Sequence, residues 1–354
     1  PEVEMLKDHC IKDASMIAPY YGLHFETNQT RIRPENIKIA QAILLTTKQE
    51  SFAKIAQEVG EALWGNNLDR LKALQKNTSM ISNEEIAKRI SENNRKQKQL
   101  GHYFGGVFAY EGECYWNIDR LPFLEERLIA LGANKSNQSS ILKRKSSTDK
   151  LQSIISGMTL EVIFSARSPY SYLALPQLIE FRKKFPVKIV YRPILPMVMR
   201  GMTINREKQL YIVHDCKRVA DKKGIPFGNI ADPLGKAVER CYSLFQHVQE
   251  NGKEEEYFST FLKAVWAEGQ HGYLTKTLKN IVEKIGLNWQ EAKTKLDNNE
   301  WHQIIEKNRQ ALYAQGKWGV PTMILKNQNE ETVLSVWGQD RIWLIEEEIH
   351  KMNS

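Results

Sequence analysis

The sequence predicts an α/β chain of two domains, the second of which contains strands at both ends and a block of helices between them. Three observations support this. A short apolar run at 160–164 leads directly into a helix-start signal at 168–171. Apolar residues then recur at helical spacing between 206 and 312, and the two halves of the chain end in similar segments.

The second domain can be assigned element by element. Residues 160–164 form a strand, and Ser168 followed by Pro169 is typical of a helix cap and first turn, so a helix is expected over 169–184. A second strand follows at 187–191, then helices, then two strands and a final helix. This order predicts a thioredoxin-like fold with a helical insertion. Two separate domains, one purely helical, are the alternative, and the short loops at both joins favour the first reading.

The first half repeats the end of the second. Residues 105–108 and 116–121 match 318–321 and 337–342 in order, and each pair precedes a helix. The segment 158–207 has no counterpart in the first half, which is therefore predicted to be a degenerate, N-terminally incomplete copy. The predicted domains are 1–131 and 158–354, and the polar linker is 132–157.

In this alignment the first copy carries Phe108 where the second has Pro321, retains Asp119, and has no equivalent of Ser168. We therefore expect one active site and one degenerate copy. The first residue is Pro1, which fits either removal of an initiating methionine or a missing upstream segment.

Composition excludes several classes of function. The 354 residues carry a net charge of +8, spread over helical stretches without the interleaved aromatic residues of a nucleic-acid groove. No apolar run approaches the roughly 20 residues of a membrane span, and no signal peptide is evident. The four cysteines lack Cys-x-x-Cys and zinc-ligand spacing. We expect a cytoplasmic protein with free thiols, no metal, and no nucleic-acid or membrane partner.

Three short motifs could carry chemistry, and each has a purely structural alternative. Ser168 either caps a helix or donates a hydrogen bond to a thiolate held at the helix N-terminus, where the pKa of a thiol falls. Val320–Pro321 is either a cis peptide that presents the backbone of Val320 to an extended ligand or an ordinary strand start. Asp340 either caps the last helix or pairs with the ammonium of a peptide-like ligand.

Taken together, four separated segments resemble the 2-hydroxychromene-2-carboxylate isomerases and the kappa-class glutathione transferases, which belong to the DsbA-like branch of the thioredoxin fold. The resemblance covers 158–354, and its motifs lie at 168–174, 191–193, 319–321 and 337–341. Lys208-x-x-Tyr211 and Asp215-x-x-Arg218 also match the helix that follows the second strand.

The resemblance implies glutathione as cofactor or co-substrate. Ser168 matches the serine that hydrogen-bonds the glutathione sulfur, and Val320, before Pro321, matches the clamp on the cysteinyl backbone. The other implied contacts are Gln339 and Asp340 at the γ-glutamyl end and Lys208 and Asn205 near the glycyl carboxylate. The chain departs from the family at Ser165, Arg167 and the loop 199–204, where the second substrate would lie.

The sequence therefore predicts a glutathione-dependent isomerase or transferase that acts on a small electrophile, aromatic or unsaturated. The fused copies predict an internal pseudo-dimer or a homodimer. A non-catalytic binding module is the alternative. A dithiol–disulfide oxidoreductase is disfavoured because serines occupy both positions of the Cys-x-x-Cys motif.

Overall fold

The computed structural model describes residues 2–23, 25, 32–135, 142–146 and 157–352. Contacts between residues divide the chain into two units, Pro1–Ser146 and Ser147–Ser354. Most of the linker predicted at 132–157 lies outside the described residues.

The first unit is mainly helical. Its core lies where the second, third and fourth helices meet, and it is built from Ile43, Val59, Ala62 and Leu71, all of which are buried. A 3-10 turn follows the first helix, at Ala18–Tyr21. The helices are α1 (Glu2–Ile17), α2 (Pro34–Thr46), α3 (Gln49–Trp64), α4 (Leu68–Lys76) and α5 (Asn83–Gln99).

The first unit ends in a β-hairpin and a helix. Strand β1 (Val107–Tyr110) pairs antiparallel with β2 (Glu113–Trp116), and α6 (Leu121–Ala130) follows. This is the strand-turn-strand-helix order that the sequence predicts for the end of this half.

The second unit is built around a four-stranded sheet. Its order is β4-β3-β5-β6; β3 and β4 are parallel, and the other neighbours are antiparallel. The strands are β3 (Thr159–Phe164), β4 (Lys188–Pro193), β5 (Thr322–Lys326) and β6 (Thr332–Trp337). Helix α7 (Pro169–Lys184) connects β3 to β4. This arrangement confirms the thioredoxin-like fold and the helix predicted over 169–184.

A helical block separates β4 from β5, as predicted. The apolar side chains of Phe258, Phe261, Leu262 and Val265 lie on one of its helices and are fully buried. Phe258 packs edge-on against Phe164 at the end of β3, with 4.5 Å between ring centroids. The helices are α8 (Arg206–Lys223), α9 (Lys236–Ser243), α10 (Phe245–Glu250), α11 (Glu254–Trp266), α12 (Thr275–Lys284), α13 (Trp289–Lys293) and α14 (Trp301–Ala314), and the chain closes with α15 (Ile342–Met352). Among the described helices, none has the length and apolar character needed to cross a bilayer.

The hairpin of each unit is preceded by a hydrogen bond at the same place in its strand register. The N–H of Asn117 donates to the carbonyl of Gly106 at 3.0 Å, and the N–H of Gly338 donates to the carbonyl of Pro321 at 2.8 Å. By strand register, Gly106 lies in the first hairpin where Pro321 lies in the second, two residues before the Phe108 that the sequence alignment places there. The proline is absent from the first unit in either alignment.

Candidate functional site

The four sequence motifs meet at one end of the sheet. Strand β3 runs towards this end, where Ile163 pairs with Thr322 at the start of β5. Phe164 pairs with Pro193 at the end of β4, and Thr322 also pairs with Trp337 at the end of β6. The segments that follow β3, β4 and β6 and the segment that precedes β5 therefore meet at the same end of the sheet.

Ser168 lies at the mouth of α7 as the helix cap. Its Oγ accepts a hydrogen bond from the N–H of Ser171 at 3.1 Å, and Pro169 occupies the first helical position. Serine satisfies one of the free N–H groups at a helix start, and proline sacrifices no hydrogen bond there. Within the described part of the chain, the Ser168 hydroxyl hydrogen has no acceptor. The half-buried hydroxyl can thus donate to a ligand while it caps the helix.

Val320 precedes a cis proline at the same end of the sheet. The Val320–Pro321 peptide bond is cis, as the sequence predicted. Val320 is half-buried, and among described residues its N–H and C=O have no hydrogen-bond partner. The hydroxyl of Thr322 donates to the carbonyl of Gly319 at 2.9 Å and braces the turn. The backbone of Val320 is therefore available to pair with an extended ligand.

Gly319 and Trp318, which precede this turn, pack closely against Trp337. A Cβ on Gly319 would lie 1.8 Å from Cζ2 of Trp337, so only glycine fits there. Trp318 packs edge-on against Trp337 with 4.8 Å between centroids. The carbonyl of Trp318 accepts a hydrogen bond from Arg200, which follows β4, at 2.8 Å.

Gln339 and Asp340 follow β6 in a 3-10 turn, Gln339–Arg341, just before α15. The side chain of Gln339 is 2% exposed, and its amide donates to Oδ1 of Asp340. Its carbonyl oxygen accepts from Nε2 of Gln177 on α7 at 2.7 Å. Asp340 is half-buried. Of the two residues predicted to bind the γ-glutamyl end, Asp340 is accessible and Gln339 is buried behind it.

Asn205 and Lys208 lie at the start of α8. Asn205 is exposed and caps the helix, with Oδ1 accepting from the N–H of Lys208 at 2.8 Å. The Lys208 ammonium is partly withdrawn from water, and this burial lowers its pKa below the ordinary value. The capping role of Asn205 was missed from the sequence, although Asn three residues before Lys208 fits the pattern of a helix start.

Two further interactions near the helix mouth were not predicted from the sequence. Arg167, next to Ser168, forms a bidentate ion pair with Asp232, with both N–O distances 2.7 Å. Tyr170 donates its hydroxyl to Oδ2 of the buried Asp215 on α8 at 2.7 Å. Both pairs join residues far apart in sequence, so spacing alone could not reveal them.

The site contains no dithiol. Serines occupy both ends of the motif at 168–171, and the four cysteines are free thiols, of which only Cys10 is exposed. The described residues contain no cluster of His, Cys, Asp and Glu suited to a metal ion. Disulfide exchange at this helix mouth is therefore excluded by its chemistry.

The fold and the site define a thioredoxin-fold protein with serine at the position of the redox cysteine. A family model described as a DSBA-like thioredoxin domain matches residues 159–350, which is more than half of the chain. The chain belongs to the DSBA-like thioredoxin family.

Solved structures that match this chain span the same part of it. A 2-hydroxychromene-2-carboxylate isomerase matches at 24% identity over 55% of this chain and 95% of its own, with a TM-score of 0.46. The cytosolic disulfide reductase DsbM from Pseudomonas aeruginosa matches at 17% identity over 55% of this chain and 100% of its own, with a TM-score of 0.44. Among curated proteins, no sequence matches.

Proposed function

We propose that the second unit is a glutathione-dependent isomerase or transferase, with the glutathione thiolate bound at the mouth of α7. The observation that carries this proposal is the geometry of Ser168. Its oxygen accepts from Ser171, and its hydrogen has no acceptor among described residues at a half-buried helix N-terminus. A helix N-terminus favours an anion, and a hydroxyl donor there lowers the pKa of a bound thiol without competing as a nucleophile.

Val320, Asp340 and Lys208 complete the proposed binding mode. The free N–H and C=O of Val320 pair with the backbone of the cysteinyl residue. Asp340 binds the ammonium of the γ-glutamyl end, and the ammonium of Lys208 binds the glycyl carboxylate, with Asn205 holding the start of α8 in place. These contacts orient the sulfur towards Ser168 and the second substrate.

The reaction follows from a thiolate held in this position. The sulfur adds to an electrophilic carbon of an unsaturated substrate, and the π electrons move to a conjugated carbonyl oxygen. Rotation about the resulting single bond, followed by expulsion of the thiolate, gives a cis–trans isomer and returns glutathione unchanged. If the adduct instead loses a leaving group or takes up a proton, the product is a glutathione conjugate. Ser168 acts in both cases by holding the sulfur as its anion.

Glutathione titration of the intact chain tests the proposal. We expect heat of binding with glutathione at millimolar concentration or below, and much weaker binding of ophthalmate, which lacks the sulfur. The thiol of bound glutathione should ionise at lower pH than free glutathione, which ultraviolet absorbance of the thiolate reports. Turnover would then be screened with o-hydroxybenzylidenepyruvate and with a chlorodinitrobenzene-type electrophile. If glutathione gives neither heat nor a thermal shift, the proposal is wrong, and the non-catalytic binding module becomes the better reading.

We also propose that the first unit is a degenerate copy of the end of the second. Beyond the hydrogen bond at the same register position of the two hairpins, Arg120 and Arg341 are both buried and each donates to the carbonyl of the aspartate before it, at 3.4 and 3.2 Å. The first unit has no Ser168 equivalent, so activity should be confined to the second. A cytoplasmic location, where glutathione is abundant and thiols stay reduced, is part of this proposal. A homodimer or an internal pseudo-dimer stays a prediction, which the mass in solution tests.

A further inference from the structure

A line of three side-chain hydrogen bonds leads to Asp340 from the far end of α8. The ammonium of Lys223 donates to Oε1 of Gln177 at 2.9 Å. Nε2 of Gln177 donates to Oε1 of Gln339 at 2.7 Å. Nε2 of Gln339 in turn donates to Oδ1 of Asp340. We name Lys223, Gln177 and Gln339 the amide relay.

Hydrogen-bond chemistry permits only one direction for this relay. An ammonium has donors and no acceptor, so Gln177 must turn its oxygen towards Lys223 and its NH₂ towards Gln339. Both hydrogens of that NH₂ are used, since Nε2 also donates to the carbonyl of Leu173 at 2.8 Å. Gln339 must then present its oxygen to Gln177 and its NH₂ to Asp340. An ionised carboxylate can only accept, so the two ends of the relay require the same direction.

Burial makes this direction costly to reverse. Gln339 is 2% exposed, so water cannot replace a mismatched partner on its amide. A reversed Gln339 would place its oxygen against the Asp340 carboxylate and leave two acceptors facing each other. An unmade hydrogen bond on a buried polar group costs more than a formed one contributes.

From this geometry we propose that Gln177 and Lys223 are positioning residues for glutathione, and that they act through Gln339 to orient the Asp340 carboxylate towards the γ-glutamyl ammonium. The inference rests on the proposed glutathione site and changes one part of it. Gln339 becomes a relay member that holds Asp340, and of these two residues only Asp340 contacts the ligand. The neutral amide of Gln339 orients the carboxylate without contributing a charge of its own, so the carboxylate can attract a cation.

The sharpest test is Gln177→Glu, which keeps the shape of the side chain and reverses the relay. A glutamate still accepts from Lys223, but as a carboxylate it cannot donate to Gln339. The Gln339 amide must then turn its NH₂ to residue 177 and its oxygen to Asp340. We expect the Kd for glutathione to rise about tenfold or more, which is the scale of losing a hydrogen bond to a charged group. In steady-state assays KM for glutathione should rise while kcat changes little.

A ligand pair separates positioning from a general structural role. Desamino-glutathione, in which a glutaryl group replaces the γ-glutamyl group, lacks the ammonium that Asp340 is proposed to bind. Titrations should show that the wild type prefers glutathione and that Gln177→Glu loses most of this preference. Merely loosened packing would weaken both ligands alike and leave their ratio unchanged.

Lys223→Met gives a second variant at an exposed position, where folding is not at risk. Without the ammonium, the side-chain amide of Gln177 is able to flip. We expect a smaller loss of the preference for glutathione over desamino-glutathione than in Gln177→Glu. The matched control is Lys217→Met, since Lys217 is also exposed on α8 but pairs with Asp221 outside the relay. Its glutathione affinity should equal that of the wild type.

The outcomes are separable. If the wild type binds glutathione and both relay variants keep its affinity and its ligand preference, the relay inference is wrong and the proposed function stands. If the wild type does not bind glutathione, both are overturned.

Discussion

The Tyr170 hydroxyl donates to Oδ2 of Asp215 at 2.7 Å and joins the first turn of α7 to the middle of α8. The same carboxylate accepts from Tyr211 at 3.4 Å and pairs with Arg218 at 3.3 Å. Asp215 is 1% exposed, so these partners replace the water that its charge would otherwise need. The buried carboxylate of Asp215 therefore links the helix that carries Ser168 to the helix that carries Lys208.

Loss of the short hydrogen bond should cost more than loss of the long one. We expect Tyr170→Phe to lower the free energy of unfolding by about 2 kcal/mol, because a hydrogen bond to a buried carboxylate is lost. Tyr211→Phe, whose bond to Asp215 is longer, should cost less and serves as the matched control. Chemical denaturation measures both. Tyr170→Phe should also raise KM for glutathione, whereas equal effects of the two variants would contradict a special role for Tyr170.

Ser168 caps α7 and is proposed to donate to a thiolate, and substitutions can separate these two roles. Ser168→Ala should lose about 1 kcal/mol of stability with the helix cap and reduce turnover on the order of 100-fold with the thiolate donor. Ser168→Asp keeps a good helix cap but places a carboxylate against the thiolate. It should therefore be more stable than the alanine variant and still fail to bind glutathione as its anion. Thermal unfolding and thiolate absorbance measure the two effects.

A second capping serine provides the control for this series. Ser82 caps α5 in the first unit, with its Oγ accepting from the N–H of Glu85 at 3.2 Å. Ser82→Ala should cost a similar amount of stability without changing turnover. Full activity of Ser168→Ala would remove the proposed role of this hydroxyl.

Local signals predicted more of this molecule than long-range ones. The helix over 169–184 and the capping role of Ser168 follow from residues next to one another, and both were predicted. The bond between Gln177 and Gln339 joins residues 162 positions apart, and nothing in either neighbourhood marks it. The position of Gly106 against Asn117 required strand register, because a one-residue slip changes every pairing in a short hairpin. Capping and periodicity are properties of a local sequence, whereas contacts between residues that are far apart in the chain depend on the tertiary fold.

Two glycines should respond to alanine in opposite ways. At Gly319 a Cβ would lie 1.8 Å from Cζ2 of Trp337, so Gly319→Ala must displace the indole or the turn before Pro321. We expect a loss of several kcal/mol, with impaired glutathione binding. At Gly60, inside α3, an added Cβ meets no atom within 4 Å. Gly60→Ala should raise stability by about 0.5–1 kcal/mol, because alanine favours a helix interior. Denaturation midpoints of the two variants measure these changes in stability. Wild-type stability of Gly319→Ala would contradict the close contact between Gly319 and Trp337.

Glu161 on β3 should give the chain a distinct loss of stability in acid. Burial alone would raise the pKa of its carboxyl, but hydrogen bonds and charge from Arg192 and Lys326 outweigh burial and hold the pKa below the ordinary 4.5. A depressed pKa stabilises the folded state fully above the unfolded value, and this contribution is lost as pH falls through the folded pKa.

Glu161→Gln removes this charge and isolates its contribution. Above about pH 4.5, where the glutamate is ionised in both states, the variant should be less stable than the wild type by about 2 kcal/mol, since two charged donors lose their anionic partner. Below that pH the wild-type curve should fall towards that of the variant, because the carboxyl takes up a proton. The free energy of unfolding, measured by urea denaturation at a series of pH values, tests this. Two curves that stay parallel from neutral pH down through the acid range would show that Glu161 is not the group whose protonation destabilises the sheet.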